Sequence, residues 1–177
     1  MKEMISRLYI MQLKYAGIPN AVYDVLPEHE RAMLINVDGK FFLKPEQRKK
    51  IKVVLTGGVF DVLHIGHIVT LNEAKKHGDV LIVAIAQDEH IRKKNREPIH
   101  PLEYRTIMVE ALKPVDLAVS GFDDPKKMLD AVKPDAIVYG YDQKETIKTE
   151  GVTIIRLSKC IDDSKFKTGK ILDELGI

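Results

Sequence analysis

From Ile51 onward the sequence alternates short apolar, β-rich runs with amphipathic stretches of helical character, and that alternation leaves few folds open. Strands are expected at 52–56, 80–86, 117–120, 136–139 and 153–157. The first two read as apolar on both faces, which is how parallel strands covered by helices on both sides look in sequence. Between the strands, Pro101 stands at a helix entry after His100, and Asp124-Pro125 offers an N-cap followed by a first-turn proline. Pro114 and Pro134 each close the preceding helix. Five strands joined by helical crossovers predict an α/β class with a doubly wound, five-stranded parallel sheet.

The first fifty residues follow another pattern. Residues 3 to 16 read as a helix, and Asp38-Gly39 between the apolar runs 34–37 and 40–43 is the strongest short signal for a hairpin. Arg48-Lys49-Lys50, with Lys52, leads into the alternating region, so two domains are expected: a small α+β appendage at 1–50 and the sheet domain at 51–177. Met4, Ile5, Leu8, Tyr9, Met11 and Leu13 give the helix more apolar surface than it can bury alone, which suggests a homodimer contact or a lid.

Composition removes several function classes. Twenty-eight Lys and Arg against 26 Asp and Glu leave a net charge of +2, so no global field draws the chain to nucleic acid or anionic membrane, and phosphate recognition must be local. The longest apolar run, 80–86, is far short of the roughly 20 residues that span a bilayer. One cysteine, Cys160, allows neither an internal disulfide nor a multi-cysteine zinc site, which suits a reducing cytoplasm. A lone thiol is usually a small buried hydrophobe.

In a doubly wound sheet, ligands bind beyond the carboxyl ends of the strands where the winding reverses, so the loop after the first strand of the sheet domain matters most. It reads Thr56-Gly57-Gly58-Val59-Phe60-Asp61-Val62-Leu63-His64-Ile65-Gly66-His67 and then enters a helix. The glycines allow a sharp turn and close backbone approach to a ligand, and Gly66 keeps the helix start open between two imidazoles. First-turn N–H groups form an anion site, and two histidines add donors that titrate near neutrality, suited to a polyphosphate whose charge grows during reaction. The Gly-x-Gly-x-x-Gly and Gly-Lys-Ser/Thr patterns are both absent. Two histidines three residues apart, with no nearby cysteine, make a poor zinc pair.

Val59-Phe60-Asp61 followed by His64-Ile65-Gly66-His67 resembles the signature of the nucleotidyltransferase superfamily that includes cytidylyltransferases, pantetheine-phosphate adenylyltransferases and archaeal FAD synthases, with a Rossmann-like fold. The usual Gly-Thr-Phe-Asp is Gly58-Val59-Phe60-Asp61 here, one hydroxyl fewer. Segments 96–101, 108–116 and above all 133–143 are most similar to archaeal FAD synthases, over about residues 51 to 175.

The resemblance implies transfer of a nucleotidyl group, with the acceptor phosphate attacking the α-phosphorus of a nucleoside triphosphate and pyrophosphate leaving. It implies that His64, His67 and Lys170 are catalytic. Gly58, Val59, Phe60, Gly66, Gly140, Asp142, Phe166 and Thr168 would join the histidines in holding the nucleotide. Phe166 stands where the family has tyrosine and Gly169 where it has serine. Asp61, Asp88, Lys93, Lys94, Arg96 and Arg105 would meet the acceptor, with Arg105 pointing its charge toward the site and Asp88 orienting these groups or holding a metal ion through water.

The implied substrates are ATP (or CTP) and FMN, as in flavin biosynthesis. Mg²⁺ or another divalent cation would be held by the phosphates rather than by side chains. The rivals are a cytidylyltransferase acting on an alcohol phosphate such as glycerol 3-phosphate, and a nucleotide-responsive regulator that binds DNA through residues 1 to 50.

Overall fold

The computed structural model describes residues 1–93, 95–121, 124–141, 143, 150–158 and 168–176. The chain divides into two compact units, Met1–Lys52 and Val53–Ile177.

The first unit opens with α1 (Lys2–Lys14), which ends two residues earlier than the sequence suggests because the chain turns at Ala16-Gly17, both at positive φ. Two single-turn helices follow, α2 (Asn20–Tyr23) and α3 (Glu28–Arg31), before the hairpin of β1 (Leu34–Val37) and β2 (Lys40–Leu43). The hairpin pairs Leu34 with Leu43 and Val37 with Lys40. Asp38 and Gly39 both adopt left-handed φ, 48° and 81°, as a two-residue turn between right-twisted strands requires. The unit closes with the one-turn α4 (Pro45–Arg48). Ile5, Leu8 and Tyr9 of α1 are buried, and Met4, Met11 and Leu13 half-buried, so the apolar surface that suggested a homodimer contact is largely covered within the chain itself.

The second unit runs β3 (Val53–Gly58), α5 (Ile65–Lys75), β4 (Val80–Ile85), α6 (Glu89–Arg92), α7 (Leu102–Glu110), β5 (Leu117–Ser120), α8 (Pro125–Val132), β6 (Ala136–Tyr139), β7 (Thr153–Arg156) and α9 (Thr168–Leu175). Its five strands lie in the order β5-β4-β3-β6-β7, all parallel. The doubly wound sheet is therefore present, with strand bounds within two residues of those read from the sequence. Asp124 caps α8 by accepting the N–H of Lys126 at 2.9 Å, and Pro125 occupies the first turn. Lys133 ends that helix in the left-handed region, followed by Pro134.

Strand register sorts the core. Val54, Leu81, Val83, Ile85, Ala118, Ala136 and Val138 share one face and pack with Leu71 and Ala74 of α5 and Val109 of α7. Leu55, Gly57, Ala84, Ile137 and Tyr139 lie on the opposite face, where Met128 of α8 sits near them around a cleft. The first strand of the unit, β3, is central, and the chain winds outward first one way and then the other. The reversal falls between β3 and β6, at Thr56-Gly57-Gly58. Ladder pairing between these strands is confined to Val54–Ala136 and Leu55–Ile137. Beyond it, the buried Thr56 hydroxyl donates to the Val138 carbonyl at 2.8 Å, bridging the strands where the crevice opens.

Candidate active site

The histidine loop leaves β3 at the switch point and enters α5 with His64 as its N-cap residue, in extended conformation. The His64 carbonyl accepts the His67 N–H at 3.0 Å, which starts the helical ladder and leaves the N–H groups of Ile65 and Gly66 heading the helix without an intrahelical acceptor. One turn brings the two imidazoles face to face, with ring centroids 3.8 Å apart and planes inclined by 30°. The ring of Phe60 lies 4.8 Å from that of His67, with the two planes tilted by 49°. Phe60 holds a φ of 54°, a left-handed conformation costly for a bulky residue, and is 4% exposed.

This arrangement gives Gly58 a reason the sequence did not show. A Cβ there would lie 2.8 Å from Cε2 of Phe60, so the glycine makes room for the ring that backs His67. Gly58→Ala is expected to destabilise the fold by about 1–3 kcal/mol through overpacking. Phe60→Leu in the same chain should recover part of that loss, and urea unfolding of the single and double variants checks both.

Burial, followed by the neighbouring charge of His64, lowers the His67 pKa to about 4, so the ring is neutral at pH 7. Its Nδ1 is buried and has no hydrogen-bond partner among the described residues. Between pH 6.5 and about 4 the unfolded chain binds a proton at this residue that the folded chain does not, so stability falls as pH falls through that window. His67→Asn is expected to remove this component, on the order of 2–3 kcal/mol. Denaturant midpoints at pH 7 and pH 4.5 for the two proteins provide the comparison.

Several polar residues expected to meet the acceptor are engaged within the protein. Asp61 is fully buried; one carboxylate oxygen accepts the N–H groups of Ile99 at 3.0 Å and His100 at 3.1 Å, and the other pairs with Arg96. Arg105 is a correction to the expectation of a cation aimed at the site, because its guanidinium is wholly inside. Its Nε donates to the His100 carbonyl at 2.9 Å, one terminal nitrogen donates to the carbonyls of Val59 at 2.6 Å and Ala86 at 2.8 Å, and the other pairs with Asp88. Asp88 is thereby committed to Arg105.

The stretch after β4, read as a loop, contains the single turn α6, in which Arg92 pairs with Glu89 and Glu97. Lys93 is exposed at its end. Lys94, Asp142, Cys160 and Phe166 lie outside the described residues. Thr168 is the first residue of α9, with Lys170 exposed on the same helix.

Gln143, the last residue of the segment 133–143, lines the cleft at the switch point, a place not expected from the sequence. Its Oε1 accepts the Gly140 N–H at 2.9 Å and its Nε2 donates to the Gly57 carbonyl at 2.8 Å, tying the exit of β6 to the glycine exit of β3 across the switch point. Arg156 in turn donates to the Gln143 carbonyl. The one available signal was the position of Gln143 three residues beyond the glycine that ends the fourth strand of the sheet domain. A cleft of about 430 Å³ opens here, with Gly57, Gly58, Val59, Tyr139 and Gln143 among its lining; His64 and His67 lie beyond Val59 in the same loop and are not part of that lining. Among the described residues no group of three or more His, Cys, Asp or Glu side chains could hold a metal ion.

A doubly wound sheet whose switch point carries a glycine exit, paired imidazoles and an open helix start defines an α/β domain built to hold and activate a nucleotide phosphate. The cytidylyltransferase-like family model matches residues 55–170. FAD synthase from Aciduliprofundum boonei is 43% identical over 129 residues, covering 67% of this chain and 87% of that protein. FAD synthase from Thermococcus kodakarensis is 39% identical over 143 residues, covering 73% and 95% respectively. Among solved structures, the lipopolysaccharide core biosynthesis protein from Thermoplasma volcanium GSS1 superposes with a TM-score of 0.56 at 39% identity, covering 63% of this chain and 99% of that one. The chain belongs to the cytidylyltransferase-like family and is a nucleotidyltransferase.

Proposed function

We propose that the chain is an FAD synthase that transfers AMP from ATP to FMN. An oxygen of the FMN phosphate attacks the α-phosphorus of ATP, the bond from that phosphorus to the bridging oxygen of pyrophosphate breaks, and FAD and pyrophosphate leave. The attacking phosphate is already anionic, so no general base is required. Catalysis consists of aligning two polyanions and stabilising the charge that gathers on the leaving pyrophosphate.

The observation that carries this reading is the stacked His64–His67 pair at the start of α5, beside the glycine exit at the switch point. A buried neutral imidazole donates a hydrogen bond to phosphate and gains a proton more readily once polyanionic charge arrives. Ile65 and Gly66 N–H groups add to this, and Lys170 is assigned to the triphosphate. Gly140, Asp142, Phe166 and Thr168 are assigned to the nucleotide, and Lys93 and Lys94 to the acceptor phosphate. Mg²⁺ accompanies ATP, bound by its phosphates.

The choice of FMN and ATP is supported by the FAD synthases at 37–43% identity. We assign the reaction to the second unit and place the enzyme in the cytoplasm, where its single cysteine stays reduced. No helix among the described residues is long and apolar enough to cross a membrane. Incubation with FMN, ATP and Mg²⁺, followed by mass spectrometry for FAD and an assay for pyrophosphate, tests the proposal. Turnover only with CTP and glycerol 3-phosphate would reject it.

A further inference from the structure

The geometry points to Phe60 as a positioning residue for His67: a strained stretch of backbone, clamped on both sides, sets an aromatic ring against the imidazole and orients it where no hydrogen bond from Nδ1 does. The catalytic half of this assignment rests on the FAD synthase reading, in which the histidine pair meets the triphosphate.

The starting observation is one costly dihedral. Phe60 holds a φ of 54°, a region that a bulky side chain avoids, and strain of this kind persists only where the surroundings over-determine it. Here both neighbours in the chain are fixed by bonds to distant segments. On one side the Val59 carbonyl accepts from the buried Arg105 guanidinium at 2.6 Å. On the other, the fully buried Asp61 carboxylate accepts the N–H groups of Ile99 at 3.0 Å and His100 at 3.1 Å and pairs with Arg96. A loop that needed only to turn here would do so with less strain through glycine or asparagine. What a phenylalanine adds is the placement of its ring.

That ring is 4% exposed, so the side chain has almost no surface to offer a nucleotide. It meets His67 instead, in the tilted arrangement that aromatic pairs favour, with the centroids 4.8 Å apart. Gly58 leaves it room, since a Cβ there would lie 2.8 Å from Cε2 and 2.9 Å from Cζ of Phe60. A functional imidazole is ordinarily oriented by a hydrogen bond through its second nitrogen. At His67 the Nδ1 is buried and has no such partner among the described residues, so packing must do the orienting. Two rings supply it: His64, stacked at 3.8 Å, and Phe60. The same packing keeps water away from the imidazole. Burial is the larger cause of the lowered His67 pKa, and the charge that adds to it is that of His64.

NMR of the intact protein with labelled histidines, joined to steady-state kinetics on FMN and ATP, tests the assignment. In Phe60→Leu the His67 titration should move up from about 4 toward 6.5, by about one unit or more, because water reaches the imidazole. The kcat for FAD formation should fall about tenfold while both KM values stay within about twofold, the mark of a group misplaced for the reaction rather than of lost substrate binding. Gly58→Ala displaces the ring without removing it and should move the His67 titration the same way by a smaller amount. In the double variant Gly58→Ala/Phe60→Leu the shift should match that of Phe60→Leu alone, because the glycine acts through the ring. The assignment is overturned if either the His67 titration or kcat is unmoved in Phe60→Leu, or if the KM for ATP rises with kcat unchanged, which would make Phe60 a nucleotide contact. Should Phe60→Leu fail to fold, an unmoved titration in Gly58→Ala overturns it. Failure of the unmodified protein to make FAD from FMN and ATP overturns the functional reading, whereas the NMR titrations still decide whether Phe60 governs His67.

Discussion

Replacing His64 or His67 by alanine is expected to lower the rate of pyrophosphate release by about 10²-fold or more, the loss that follows removal of one preorganised donor to a developing anion. The expectation rests on the pairing of the rings at 3.8 Å at the head of α5. Each variant takes away one donor and also changes the other ring: without His64, His67 loses the neighbouring charge that helps to keep it neutral. Loss of turnover should exceed loss of ATP binding, because charge on the leaving group is larger in the transition state than in bound ATP. Full activity in both variants, measured at saturating substrate, would remove the imidazole pair from the reaction.

Arg105→Ala is expected to act on the fold instead. It should cost about 3–5 kcal/mol, because Asp88 is left without its cation and the carbonyls of Val59, Ala86 and His100 without their donor. In a chain of this size that lowers the thermal midpoint by roughly 10 °C or more. Arg105→Lys keeps the charge yet should recover less than half of the loss, since a single ammonium cannot serve three separated carbonyls and a carboxylate together. Differential scanning calorimetry of the three proteins decides, and an unchanged midpoint in Arg105→Ala would show that the buried guanidinium contributes nothing to stability.

Periodic and covalent signals in the sequence translated well into structure. The β-rich runs became β3 to β7, Asp38-Gly39 became the tight hairpin turn, and Asp124-Pro125 became a capped helix start, because each is governed by residues adjacent in the chain. The one-turn helices α2, α3, α4 and α6 were not legible, since four residues are too few to show a helical period.

At the candidate site, the histidines and the glycine exit were singled out from local spacing. The resemblance implies that Asp61 and Arg105 meet the acceptor and that Asp88 orients such cations; the fold pairs Asp88 with Arg105 and engages Asp61 and Arg105 as internal partners. Whether a guanidinium points out or in depends on carbonyls distant in sequence, here at Val59 and Ala86, and no local pattern reports that. Gln143 illustrates the same limit, for its link to the Gly57 carbonyl joins residues 86 apart in the chain.

Arg105 gathers three chain segments, those at Val59, at Ala86 to Asp88 and at His100, while Asp61 fastens the last of these through Ile99, His100 and Arg96. That side of the site is therefore a single rigid abutment, set before any substrate arrives. Binding against it loses no entropy to ordering these segments, so affinity there should change little with temperature-dependent loop motion and depend chiefly on the shape already presented.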